Sequence, residues 1–121
     1  MSEAVWSQAV LQLAKAISIA ENSPPGWHNP GSLTGADAGS FQTNGFGNAE
    51  GVWKFVRMED GWSALFIKVN RMLVGKSSVY PLTLTLEQVG LKYSSGNPDW
   101  SKNVAEYLGV PVTTTLEQLA S

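Results

Sequence analysis

The 121-residue chain contains no cysteine and a single histidine, His28. The first absence removes disulfides, thiol nucleophiles and thiolate metal sites, and the second leaves any serine triad dependent on His28 alone. Charge is scarce too: eight basic and ten acidic side chains leave a net charge of -2. Without an excess of cations to release counterions, nucleic acid is not expected as a partner. No stretch approaches the roughly 18 apolar residues of a membrane span. The start, Met1-Ser2-Glu3-Ala4, lacks the cationic opening of a secretory signal, so the chain reads as soluble, with its localisation open. No Walker pattern and no Gly-x-Gly-x-x-Gly between a strand and a helix marks a nucleotide cofactor. His28, alone beside Asn29-Pro30, has no companion ligands and reads as structural. Neither a metal nor another cofactor is expected.

What remains is a chain with 43% hydrophobic residues, apolar enough to bury a core and of a length that suits one domain spanning residues 1–121. From Ala4 to Ala20 the apolar residues recur at steps of three and four, as on one face of a helix. That helix should stop near Glu21, because Pro24 disfavours helical geometry at Ser23. Residues 24–51 hold more than half of the twelve glycines and three of the six prolines, which is the chemistry of turns and short strands. Val52–Val56 is the best strand candidate. The placing of Phe41 before Asn44-Gly45 suggests a hairpin partner at about 39–43. Asp60 can cap a second helix carrying Trp62, Leu65, Phe66, Val69, Met72 and Leu73 and ending before Gly75. Thr85-Leu86-Glu87-Gln88 reads as a capping box, and the same tetrapeptide recurs at Thr115-Leu116-Glu117-Gln118. Both are helix starts. Asn97-Pro98 opens a further helix that runs through Trp100, Val104 and Leu108 to Gly109. The class expected is mainly α (α+β), with a small β-element.

Glu21 is the only acid between Glu3 and Asp37, and it follows Ile17-Ser18-Ile19-Ala20 on a helix built to be buried. A carboxyl held against apolar walls has a raised pKa, as a general acid near neutral pH requires. The competing reading is the wet end of an amphipathic helix. Candidates for a second carboxylate are Asp37, Glu50, Glu59 and Asp60, although Asp37 suits a turn and Asp60 a helix cap. Of the twelve aromatics, Trp27, Phe41, Phe46 and Trp53 lie in or beside the glycine-rich region. Trp6, Trp62 and Trp100 fall on helix stripes and read as core.

Several of these segments occur in a familiar order. A helix ending in a glutamate is followed by Asn29-Pro30-Gly31-Ser32-Leu33, an Asp60-Gly61-Trp62 helix start and a closing Asn103-Val104-Ala105…Leu108-Gly109-Val110. This order resembles small bacterial and phage lysozyme-like proteins of the lytic transglycosylase and goose-type lysozyme branch. The resemblance runs from about residue 13 to 119. It implies a lysozyme-like fold with a small β-element beside a glycan cleft, and it makes Glu21 the acid that protonates the scissile oxygen. Gly39-Ser40-Phe41-Gln42 is the nearest match to the branch's Gly-Leu-Met-Gln turn, which implies Gln42 as substrate-binding, and Trp27, Phe41, Phe46 and Trp53 around the implied cleft could stack against sugar faces. Tyr93-Ser94-Ser95-Gly96 echoes its Tyr-Asn-Ala-Gly segment, and Tyr93 then either bonds the catalytic carboxyl or anchors a helix end. Asn22 stands where that branch usually has serine after the glutamate.

Two functions follow from this resemblance. One is a peptidoglycan-cleaving glycosidase, hydrolytic or transglycosylating, acting as a monomer at the cell wall on the bond between N-acetylmuramic acid and N-acetylglucosamine. The other is a non-catalytic lysozyme-like module that binds an N-acetylated glycan or a protein partner through the same cleft.

Overall fold

The structure is a computed structural model that describes residues 6–38, 45–47, 51–94 and 96–121. It is mainly helical, with one small two-stranded element. Helix α1 (Gln8–Glu21) starts later than the apolar periodicity suggests, because the Ser7 hydroxyl accepts the Val10 amide at 3.2 Å and fixes the first turn. It ends where Asn22 turns into the left-handed region at φ 46°, a conformation asparagine tolerates better than most residues.

The glycine-rich region holds a 3₁₀ turn, Pro25–Trp27, a single helical turn α2 (Gly35–Ala38) and the strand β1 (Gly45–Gly47). Strand β2 (Trp53–Phe55) falls within the expected strand and pairs antiparallel with β1, Phe46 opposite Lys54. The hairpin partner is thus Gly45–Gly47, and Gly45 belongs to a strand rather than to a turn. The segment expected in that place, 39–43, lies outside the described residues.

Helix α3 (Met58–Leu73) also corrects an expectation. Arg57 occupies the cap position without a side-chain bond, and Asp60 sits with Glu59 in the first turn, where the helix dipole favours negative charge. Helix α4 (Leu86–Tyr93) opens with a complete capping box on Thr85 and Gln88. Helix α5 (Pro98–Leu108) begins at the Asn97 cap and stops at Gly109, whose φ of 70° suits glycine. Helix α6 (Leu116–Ala120) repeats the capping box on Thr115 and Gln118.

The two boxes are joined. The first amides of a helix lack partners within it, and here each helix start borrows carbonyls from the segment before the other. Leu86 and Glu87 donate to Thr114 and Val112 at 2.9 and 3.0 Å, while Leu116 and Glu117 donate to Leu84 and Leu82, both at 3.0 Å. Leu86 and Leu116 are fully buried in this clasp.

Helix α1 packs on α3 and α5, α4 on α5, and α6 on α3. The shared core includes Val10, Leu13 and Ile17 of α1, Leu65, Val69 and Met72 of α3, and Trp100 and Val104 of α5. Each such buried aliphatic contributes about 1.5–3 kcal/mol by leaving water. Trp6, Trp62 and Phe66 pack at its edge and remain partly exposed. No helix among the described residues is long and apolar enough to cross a membrane.

Candidate functional site

The loop after α1 is held by side chains from far along the sequence. Asn29 is 2% exposed, and its Nδ2 donates to the carbonyls of Leu33 and Trp53 at 2.9 and 2.6 Å while its Oδ1 accepts the Leu33 amide at 2.8 Å. His28 contributes through Nδ1, which lies 3.0 Å from the Phe55 carbonyl oxygen. A carbonyl only accepts, so Nδ1 carries the proton. Gly61 lets α3 approach this loop, since a Cβ there would collide with the His28 carbonyl. The Asn-Pro-Gly-Ser-Leu sequence is thereby locked against both β2 and α3, and Ser32 is aimed back towards the end of α1.

Glu21 receives what this loop presents. It is partly buried, its Oε2 accepts the indole N–H of Trp100 at 2.6 Å, and its carboxyl is also hydrogen-bonded by Ser32. Ser32 in turn shares a short hydrogen bond with Ser23. Burial raises the Glu21 pKa above its ordinary 4.5, while the bonds from Ser32 and Trp100 and the charge of Lys68 pull in the opposite direction. Burial is the larger influence, so the neutral acid is favoured relative to a glutamate in water. Trp100 thus occupies Oε2 as an acceptor and fixes the orientation of the carboxyl.

Beside this carboxyl lies a cleft of about 560 Å³, with Ser32, Asp37, Lys68, Tyr80 and Tyr93 in its wall. Glu21 is not among its lining residues; it meets the cleft through Ser32. Tyr93 answers the question left by the sequence in favour of an anchor: its hydroxyl donates to the Gly31 carbonyl at 2.7 Å, and its ring stacks on Trp100 with centroids 5.0 Å apart. The hydroxyl's burial, followed by the nearby charge of Glu21, pushes its pKa well up. Tyr80 is likewise pushed up to about 12 by burial, Asp37 and Glu21. Both tyrosines therefore remain neutral donors across the physiological range.

Lys68 joins the two walls. Its Nζ pairs with Asp37 at 2.8 Å and lies 4.4 Å from the centroid of the Tyr93 ring and 5.7 Å from that of Tyr80. The opposite charge and the electron-rich ring faces hold the ammonium in place.

The structure thus brings Glu21 and Tyr93 together and adds Asp37 through Lys68. Trp27 and Trp53 lie at the β-element and do not line this cleft: Lys54 Nζ covers the Trp27 ring at 5.7 Å, and Trp53 is partly buried beside Asn29. Phe41, Gln42 and Glu50 lie outside the described residues, as does the side chain of Phe46. Glu59 is exposed and paired with Arg57 at 2.7 Å. Among the described residues, no group of three histidine or acidic side chains could hold a metal ion.

Three contributors went unrecognised in the sequence. Trp100 has its place in the core, 2% exposed, but a buried indole N–H needs an acceptor, and that requirement pointed towards a nearby acid. Ser32 and Lys68 carried no comparable signal. No family model, curated protein or solved structure matches the chain.

Proposed function

We propose that the chain is a lysozyme-like domain that cleaves peptidoglycan, with Glu21 as the proton donor to the glycosidic oxygen between N-acetylmuramic acid and N-acetylglucosamine. The observation that carries this reading is the Glu21 carboxyl itself, held at the end of α1 between Trp100 and Ser32, beside a cleft, and shifted towards its neutral form by burial. This is the arrangement a general acid needs: a fixed geometry and a pKa moved towards the working pH.

The Glu21 proton passes to the bridging oxygen as the bond from the muramic C1 to that oxygen breaks, and the N-acetylglucosamine hydroxyl departs. The muramic C6 hydroxyl then attacks C1, and its proton returns to the Glu21 carboxylate, leaving a 1,6-anhydro end. This route requires no second protein carboxylate, which suits a cleft whose one described lining acid, Asp37, is already paired with Lys68. That same pairing favours a second reading, a glycan-binding module without turnover, because hydrolysis generally uses a second carboxylate.

Digestion of purified peptidoglycan, with mass analysis of the soluble products, tests the proposal. Anhydromuramic ends are expected. Reducing ends would indicate hydrolysis instead, and undigested material that nonetheless retains the protein would establish the binding module.

A further inference from the structure

The sequence has no basic run and an overall negative charge, yet the fold gathers three of its eight cationic side chains into one cleft. Lys68 and Arg71, three residues apart on α3, and Lys92 on α4 all line it. Residues at that helical spacing share a face. Asp37 is the one acid among the described lining residues, and it is taken by Lys68. Arg71 and Lys92 are both exposed and have no carboxylate partner among the described residues. Arg71 spends one donor on the Lys76 carbonyl at 3.3 Å, the one hydrogen bond its guanidinium makes among the described residues. Ser77 and Ser78 complete the rim between α3 and α4, the Ser77 hydroxyl accepting the Val79 and Tyr80 amides at 3.3 and 3.1 Å. A cleft with two positive charges that have no carboxylate partner among the described residues concentrates anions, because the cations act together across a concave surface.

We propose that this rim is a carboxylate subsite, in which Arg71 and Lys92 take the free carboxylates of a peptide-substituted muramic acid and so select acidic peptidoglycan strands over neutral N-acetylglucosamine polymers. The assignment rests on the peptidoglycan reading above and adds a substrate class to it. Arginine offers a planar fork that matches a carboxylate, and lysine offers a mobile point charge that follows a flexible peptide. Lys68, already engaged by Asp37 and the two tyrosines, serves as the fixed inner charge. The subsite also explains how a chain of net negative charge could approach an anionic polymer: attraction is local to the cleft.

The test compares three probes on the full chain by calorimetry: a GlcNAc–MurNAc disaccharide carrying its free stem peptide, the same compound with its carboxylates amidated, and the neutral N-acetylglucosamine tetramer. The acidic disaccharide should bind about tenfold more tightly than the amidated one, the scale expected for two partly exposed charge pairs, and this preference should shrink as salt is raised. R71Q/K92Q should abolish the preference without changing tetramer affinity, and R71K/K92R should restore most of it. Equal binding of the acidic and amidated probes would overturn the subsite while leaving the glycan reading intact if the tetramer binds. A preference that survives in R71Q/K92Q would also overturn it, by placing anion recognition elsewhere. If none of the three probes binds, the subsite is excluded and the glycan reading fails with it.

Discussion

The loop from Asn22 to Thr34 and the C-terminal stretch from Pro81 to Leu119 both have to satisfy many backbone groups outside long helices, and they do so by different means. In the C-terminal stretch the starts of α4 and α6 each carry a threonine and glutamine box, and the segment before each supplies carbonyls to the other. The work is spread over many backbone bonds, and the side chains required are local. In the loop the backbone is organised by a few side chains acting across sequence gaps of 24 to 62 residues: Asn29 to Trp53, His28 to Phe55 and Tyr93 to Gly31. One region is redundant, and the other depends on single residues. The loop that places Ser32 against Glu21 is the dependent one.

That difference can be broken first where it is sharpest. Asn29→Ala removes three hydrogen bonds, those to the Leu33 amide and to the Trp53 and Leu33 carbonyls, of which the Leu33 carbonyl keeps the Trp53 amide, so a loss of about 3 kcal/mol is expected in chemical denaturation. A loss below about 1 kcal/mol would show that the loop is not held through this side chain. Thr85→Ala and Thr115→Ala should each cost about 1 kcal/mol, the ordinary value of a helix cap. Because the two starts share bonds, the double variant should depart from additivity. Additive losses within about 0.3 kcal/mol would mean that the clasp does not couple the two caps.

A smaller effect concerns pH. The Glu21 pKa is raised in the fold, so from 4.5 upward to its folded value the native state holds more of the proton than the unfolded chain does. Stability should therefore fall as pH rises through that window. Glu59, lowered by Arg57, has the opposite sign but is fully exposed. The difference between wild type and Glu21→Gln isolates the Glu21 contribution, and denaturation midpoints across pH 4 to 8, a range set by the general behaviour of carboxyl groups, should converge towards acid and separate towards neutral in favour of the variant. Parallel midpoints would mean that Glu21 is as solvated as a surface glutamate.

The same contrast governs what could be read in advance. Helix starts at Thr85, Asn97 and Thr115 and the stop at Gly109 were legible because capping is decided within a few residues. The start of α3 was misplaced by a few residues, since an acid in the first turn and an acid at the cap look alike in sequence while Arg57 gives no cap signal at all. The pairing of β2 with Gly45–Gly47 was missed because two glycines in a three-residue strand carry none of the branched and aromatic bias by which strands are recognised. At the site, Glu21 stood out as a lone acid at the end of a buried helix. Its partners did not: Trp100 is 79 residues away and looks like core, and Lys68 lies on the face between core positions Leu65 and Met72. Tertiary juxtaposition, rather than any local pattern, gives these residues their roles.

Glu21 as the donor of a proton to the leaving oxygen is tested most sharply by the turnover of peptidoglycan by Glu21→Gln beside its affinity for the glycan. The amide keeps the shape of the side chain and can still accept from Trp100, but it has no acid proton to give. Turnover should drop by about a hundredfold or more, the scale of a lost general acid, while affinity stays within a few-fold. Wild-type turnover should also decline as pH rises through the raised pKa of Glu21. A variant that digests peptidoglycan at the wild-type rate would contradict the account and remove Glu21 from the chemistry.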